Sequence, residues 1–202
     1  MTESAARAMS ILRDGSHFQW PVIPILVIVI YIYNTEIAKR NWNVVFSGLA
    51  LWGMDWFNEI WNCLVFHFTQ FAPVWGEPGD TAYLILIGLN IETCLMFMIM
   101  GVAASLVLPK DPRMKVFGLP NRLVAAAGFS AVSVLVEIAL NHIGALTWEY
   151  PWWSAKAPWL IFLFGYLPLF SVAFWVHDIS TIKRKVAAVG SIYAFDAVCL
   201  IV

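Results

Sequence analysis

Charge is scarce in this sequence. Only 12% of its 202 residues are Asp, Glu, Lys or Arg, against about 25% in an average soluble domain. The net charge is −1 and no basic tract occurs, so nucleic acid is excluded as a partner. Cysteine is nearly absent as well. Cys63, Cys94 and Cys199 all lie in apolar runs without CxxC or Cys/His spacing, which points to packing rather than to disulfides or zinc. The opening MTESAARAMSILRDGSHFQW has no apolar core before Trp20, so no cleavable signal sequence is expected. The Glu-x-x-His pairs of di-iron bundles and the DDxxD pattern of prenyl transfer are both missing. A carboxylate-held metal is therefore set aside, and no cofactor is expected.

Apolar residues fill the space that charge leaves. They make up 61% of the chain, and the mean hydropathy is +0.76. These values predict an all-α polytopic membrane protein, a single domain over 1–202 with a bundle of about six transmembrane helices. After a polar lead-in over 1–17, spans are expected at 20–34, 44–70, 82–108, 122–146, 158–177 and 186–202. Pro24 should bend the first of these and Pro168 could interrupt the fifth. The segment 71–83, FAPVWGEPGDTAY, reads as a Gly/Pro-rich turn, and 147–159, TWEYPWWSAKAPW, reads as an aromatic belt at the interface. Lys39 and Arg40, then Lys110, Arg113, Lys115 and Arg122, then Lys183, Arg184 and Lys185 fall in alternate loops. Arg7, Arg13 and Lys156 fall on the opposite side. Nine against three places both chain ends on the non-cytoplasmic side. The chain stops inside an apolar span, which fits a protein that runs on beyond Val202.

One span breaks the apolar pattern. In 50–71, ALWGMDWFNEIWNCLVFHFTQF, helical spacing puts Asp55, Asn58, Glu59 and Asn62 on one stripe. A charge near the bilayer centre costs at least about 2.5–3.5 kcal/mol, so the stripe must face protein or a cavity. The third span adds Asn90 and Glu92, read as mid-membrane, with Met96, Met98 and Met100 beside them. The fourth places Ser130, Ser133, Glu137 and Asn141 on one face. Tyr166, His177 and Asp178 lie in the fifth span, and Asp196 lies in the last. A single intramembrane amide more often only ties helix to helix. Here three neighbouring spans each bring at least one acid, and no lysine or arginine sits among them. A carboxyl buried without a cation is cheaper to keep neutral, and a neutral acid beside a second carboxyl or amide suits proton donation and return. His67 reads as interfacial, and His142 is open between roles.

Two resemblances follow from these residues. FNEIWNCLVF in the second span, the GDTAY turn and NIETCLMF in the third are similar to emopamil-binding-type sterol isomerases. That resemblance implies Glu59 and Glu92 as an acid–base pair beside a carbocation. Asp55 stands where the family has a histidine, and Gly165 and Pro168 stand near its Asn and Trp. Glu59 with Trp61, and Asp178 or Asp196, also resemble small integral-membrane terpene cyclases. Both resemblances imply protonation of an alkene or epoxide in a greasy isoprenoid, with aromatic faces steadying the cation.

The function expected is thus acid–base isomerisation or cyclisation of an isoprenoid or sterol-like lipid. Glu59 is the candidate acid, assisted by Asp55, with Glu92 and Glu137 as base or cation stabiliser. Asn58, Asn62 and Asn141 would orient the carboxyls, and Trp61, Met96, Tyr166, Asp178 and Asp196 would shape the substrate site. Expected partners are the bilayer, the hydrophobic small molecule, and a second copy or other membrane subunits. The alternatives are a non-catalytic subunit or lipid- or pigment-binding scaffold, and a proton-coupled transporter.

Overall fold

A computed structural model describes residues 1–16 and 18–201. His17 of the expected lead-in and Val202 of the last expected span lie outside the described residues. Among the described residues there are seven helices: α1 Glu3–Ile11, α2 Val22–Ala38, α3 Trp42–Thr69, α4 Ile91–Leu106, α5 Asn121–His142, α6 Pro158–Asp178 and α7 Ile182–Ile201. Among them α5 and α6, 22 and 21 residues long, are long and apolar enough to cross a membrane. α2 and α4 are apolar but shorter, at 17 and 16 residues.

The polar-striped α3 is the central helix, packed against α4, α6 and α7. At 28 residues it runs for about 42 Å. Small residues let its neighbours come close. A Cβ on Gly101 of α4 would lie 2.8 Å from the Cα of Gly48 on α3. At the same crossing Ser105 bonds to Ser47 at 2.7 Å, and Ser47 donates to the Ala173 carbonyl of α6 at 2.8 Å. This is the small-residue, hydroxyl-tied packing by which helices associate where burial of apolar surface supplies little drive.

The third expected span is corrected at its start. Residues 82–90 are not helical. Leu84–Leu86 (β2) pairs antiparallel with Leu89–Asn90 (β3), and α4 begins at Ile91. A short apolar run fits a strand as well as a helix, and Asn90 decides the boundary. It is the N-cap of α4, its Oδ1 accepting the Thr93 N–H at 2.7 Å, as short polar side chains do at helix starts. Asn90 and Glu92 therefore lie at the end of a helix, not at its middle.

The segment before it is no surface turn. Ala72, Val74, Trp75, Glu77, Ala82 and Leu84 are all buried. Trp75–Gly76 (β1) pairs antiparallel with Thr147–Trp148 (β6), Trp75 opposite Trp148. Irregular backbone tucked into a bundle must find its hydrogen bonds in protein, and here it finds them in this ladder and in α3. α1 closes the same end. Thr2 N–H reaches the Phe71 carbonyl at 3.0 Å, and Arg13 N–H reaches that of Leu84 at 2.9 Å. At the other end the hairpin of Lys115–Val116 (β4) and Leu119–Pro120 (β5) turns the chain. There Arg122 of α5 grips Asp178 of α6 through two bonds of 2.8 and 2.9 Å. Lys185 donates to the Val176 and His177 carbonyls, both at 2.6 Å, closing the C-terminus of α6.

Pro168 acts as its position suggests. It has no N–H to give and crowds the carbonyl four residues back, and the turn before it, Ile161–Tyr166, widens into a π-helix. Such a turn frees a carbonyl, and the Asn58 amide of α3 takes up that of Gly165 at 3.0 Å.

Candidate functional site: a buried carboxyl cluster

Three elements bring acids to one place. Asp55 and Glu59 stand one turn apart on α3, each 4% exposed. Glu77 comes from the loop between α3 and α4, and Glu137 from α5. The acids within electrostatic reach of Asp55 are Glu59 and Glu77, and those within reach of Glu59 are Glu77 and Glu137. Tyr166 of the π turn faces Glu137, Asp55 and Glu59.

Indole N–H groups hold the outer acids. Trp75 Nε1 donates to Glu59 Oε1 at 2.6 Å, and Trp148 Nε1 donates to Glu137 Oε1 at 2.9 Å. Trp153 also faces Glu137, without a hydrogen bond to its Nε1. Among the described residues of this cluster, two carboxyl oxygens have no hydrogen-bond partner: Asp55 Oδ2 and Glu59 Oε2. Buried polar atoms are nearly always paired, and an unpaired one costs about 1–3 kcal/mol. Asp55 and Glu59, one turn apart on α3, each keep one such atom.

Aromatic rings wall this cluster. Trp75 stacks on Trp153 with centroids 5.4 Å apart, and Trp61 lies 5.9 Å from Trp75 and 6.1 Å from Trp153. On the outer side of Trp61 and Trp153 is an open groove of about 370 Å³, lined also by Phe57, Asn58, Trp152, Leu160 and Phe164. The carboxyls themselves do not line it.

The other candidates fall elsewhere. Glu92 is apart from the Asp55–Glu59 pair. Its two oxygens accept from Ala82 N–H at 2.8 Å and from the Thr81 hydroxyl at 2.6 Å, because it sits in the first turn of α4 over the loop. Asn62 faces Glu59 and also holds the loop backbone. Its Oδ1 accepts from Val74 and Trp75 N–H at 2.7 and 3.2 Å, and its Nδ2 donates to the Trp75 carbonyl at 2.8 Å. Asn58 serves Gly165, as above, and Asn141 ties the end of α5 to the Leu146 carbonyl at 3.0 Å. Met96 points outward, 59% exposed, since α4 turns its other face to α3. Asp178 is committed to Arg122 at the far end of the bundle. Asp196 is buried on α7 with both oxygens unpaired. The aromatic-belt expectation for 147–159 is corrected in part: Trp152 and Trp159 are exposed, while Trp148 turns in to Glu137 and Trp153 is buried.

Glu77 and Trp75 are the site residues the sequence did not reveal. Gly88 makes their placement possible, because a Cβ there would sit 2.5 Å from Asn62 Nδ2 and 2.6 Å from Trp75 Cδ1. Glu77 Oε2 accepts the Asn90 N–H at 2.7 Å and Oε1 the Thr93 hydroxyl at 2.9 Å. Burial nevertheless pushes its carboxyl up to about 7, Glu92 and Glu137 adding to the rise. Because the folded state holds this proton more tightly than the unfolded chain, the contribution of Glu77 to stability is complete below pH 4.5 and falls as pH rises towards 7. The loss approaches roughly 3 kcal/mol at 1.36 kcal/mol per pH unit. In thermal unfolding of detergent-solubilised protein, Glu77→Gln is expected to flatten the curve of midpoint against pH between 5 and 7. An unchanged slope would mean that Glu77 does not titrate in this way.

This is a mostly helical membrane protein with a loop-capped acidic core. The chain belongs to the family described as "Uncharacterized membrane protein family", whose model matches residues 2–202. A protein of Archaeoglobus fulgidus described as "Uncharacterized protein" is 59% identical over 201 residues, covering 100% of this chain and 95% of its own length. A second protein of that organism, with the same description, is 44% identical over 43 residues, 21% of this chain and 77% of its own. No solved structure matches.

Proposed function

We propose that the chain is a six-span membrane enzyme that isomerises or cyclises an isoprenoid or sterol-like lipid by acid–base chemistry. The spans are α2 to α7, with both chain ends on the non-cytoplasmic side. The meeting of α1, β1 and β6 at one end and of Arg122 with Asp178 at the other supports that alternation, and the charge bias of the loops supports its direction.

One observation carries the chemical reading: two unpartnered carboxyl oxygens on buried residues one turn apart on α3, the second of which, Glu59, holds the Trp75 indole N–H on its other oxygen. Glu59 gives its proton to an alkene carbon, leaving a tertiary cation. The faces of Trp75 and Trp153 steady that cation. Asp55 or Glu137 takes a proton from the neighbouring carbon, so the double bond moves and no proton is gained or lost. In a cyclase, ring closure comes before that loss. Tyr166 and Trp148 keep the receiving carboxyl in place. The open groove beside Trp61 and Trp153 gives a hydrocarbon chain lateral access from the bilayer.

The test uses solvent deuterium. Purified protein in phosphatidylcholine vesicles is incubated in D₂O with unsaturated isoprenoid alcohols or with sterols, and the lipids are read by mass spectrometry. Deuterium should enter carbon positions of one substrate class, and that class should also be found in lipid extracted from the purified protein. Lipids free of deuterium, with a stoichiometric partner chain in the preparation, would replace this reading with that of a non-catalytic subunit.

A further inference from the structure

We propose that Glu77 and Glu92 carry protons between a water-open pocket at the loop end of the bundle and the buried Asp55–Glu59 pair. The proposal rests on the reading of that pair as a proton-exchanging site, but not on the identity of any lipid.

The path can be followed in the geometry. Beside the end of α1 lies an open pocket of about 500 Å³, lined by Ile11 and Phe18 together with Asp14, Ser16, Asp80 and Thr81. Thr81 stands in its wall and donates to Glu92 Oε2 at 2.6 Å. Glu92 adjoins Thr93 on the first turn of α4, and the Thr93 hydroxyl donates to Glu77 Oε1 at 2.9 Å. Glu77 in turn lies within electrostatic reach of Glu92, and of Asp55 and Glu59. The inner end of the path is the pair of unpartnered oxygens, Asp55 Oδ2 and Glu59 Oε2. A proton entering from pocket water passes to Glu92, then to Glu77, then to Glu59. At each step one O–H bond breaks and one forms, and nothing is oxidised or reduced.

Anchoring alone does not account for the residue type. Glu77 and Glu92 both hold loop backbone, yet a glutamine oxygen also accepts a backbone N–H, and a neutral amide is cheaper to bury than an ionised carboxylate. What glutamine lacks is a proton to pass on. With a carboxyl raised to about 7, Glu77 is suited to both taking up and releasing one near neutral pH.

Beyond Asp55, Leu51 packs with Leu169, Phe170, Ala173 and Phe174 in an apolar plug. This arrangement supplies chemistry inside the membrane rather than passage across it.

Infrared spectroscopy tests the proposal without substrate. Protein in phosphatidylcholine vesicles is switched from H₂O to D₂O, and the isotope shift of the carboxylic-acid C=O band that Glu59→Gln removes is timed. Glu77→Gln and Glu92→Gln should each slow that shift about tenfold or more, with unchanged circular dichroism, and Glu77→Asp should recover most of the rate. Wild-type rates in both glutamine variants overturn the relay, as does the absence of a Glu59-dependent band. If Glu77→Gln fails to fold, Glu92→Gln alone decides. Slowed exchange with no lipid deuteration would keep the relay and discard the lipid chemistry. Lipid deuteration with unslowed exchange would do the reverse.

Discussion

Deuterium transfer from solvent to lipid is expected to fall about 10²- to 10⁴-fold in Glu59→Gln, the usual contribution of a positioned general acid. That corresponds to roughly 3–5 kcal/mol in the barrier. The substitution isolates the proton. Glutamine keeps an oxygen for the Trp75 indole N–H, which now bonds Glu59 at 2.6 Å, so the loop stays seated and Asn62 still holds its backbone. Volume is conserved and no buried charge is created. Trp75→Phe makes the complementary change, leaving the acid in place and removing the donor that fixes it. It should reduce turnover less than Glu59→Gln while loosening the loop more. Labelling at the wild-type rate by folded Glu59→Gln protein would remove Glu59 from the chemistry and pass the acid role to Asp55.

Much of this arrangement was legible because helices repeat. The stripe of Asp55, Asn58, Glu59 and Asn62 follows from a rotation of about 100° per residue, and the cost of polar groups in an apolar run says that it faces inward. Glu137 on its own helix face followed by the same argument. The loop could not be read in this way. Its placement depends on contacts between residues far apart in sequence, Trp75 with Trp148 and Glu77 with Thr93. A Gly/Pro-rich stretch gives no period that would reveal them. The hairpin at 84–90 was hidden for a related reason, since Leu84–Leu86 and the start of a helix share one apolar composition. Amides were the hardest to assign. Asn58, Asn62 and Asn141 lie on the expected faces, but each serves a backbone carbonyl or N–H that only the folded chain brings near. Tryptophan carried the same ambiguity. Trp148 and Trp152 are alike in sequence, and only the ladder to Trp75 turns the first inward.

Asn62→Leu should release the loop that builds the site. Asn62 is fully buried and satisfies three backbone groups at once, the N–H of Val74, the N–H of Trp75 and the carbonyl of Trp75. Leucine has the same number and branching of side-chain heavy atoms but leaves all three unpaired. At about 1–3 kcal/mol for each orphaned buried group, the docked loop loses roughly 3 kcal/mol or more, enough to favour its departure into water. Trp75 then leaves Glu59 and stacks no longer on Trp153, and β1 separates from β6. Because residues 70–90 contain no lysine or arginine, trypsin cannot report this opening. Chymotrypsin can, since Trp75 and Tyr83 become accessible. Cleavage there should accelerate about a hundredfold, following the population of the open form, while α3 and α4 keep their helicity and unfold near the wild-type temperature. Wild-type resistance to chymotrypsin would show that the loop is held by the hairpin and by α1 rather than by Asn62. In that case the polar stripe of α3 has the carboxyls alone as its purpose.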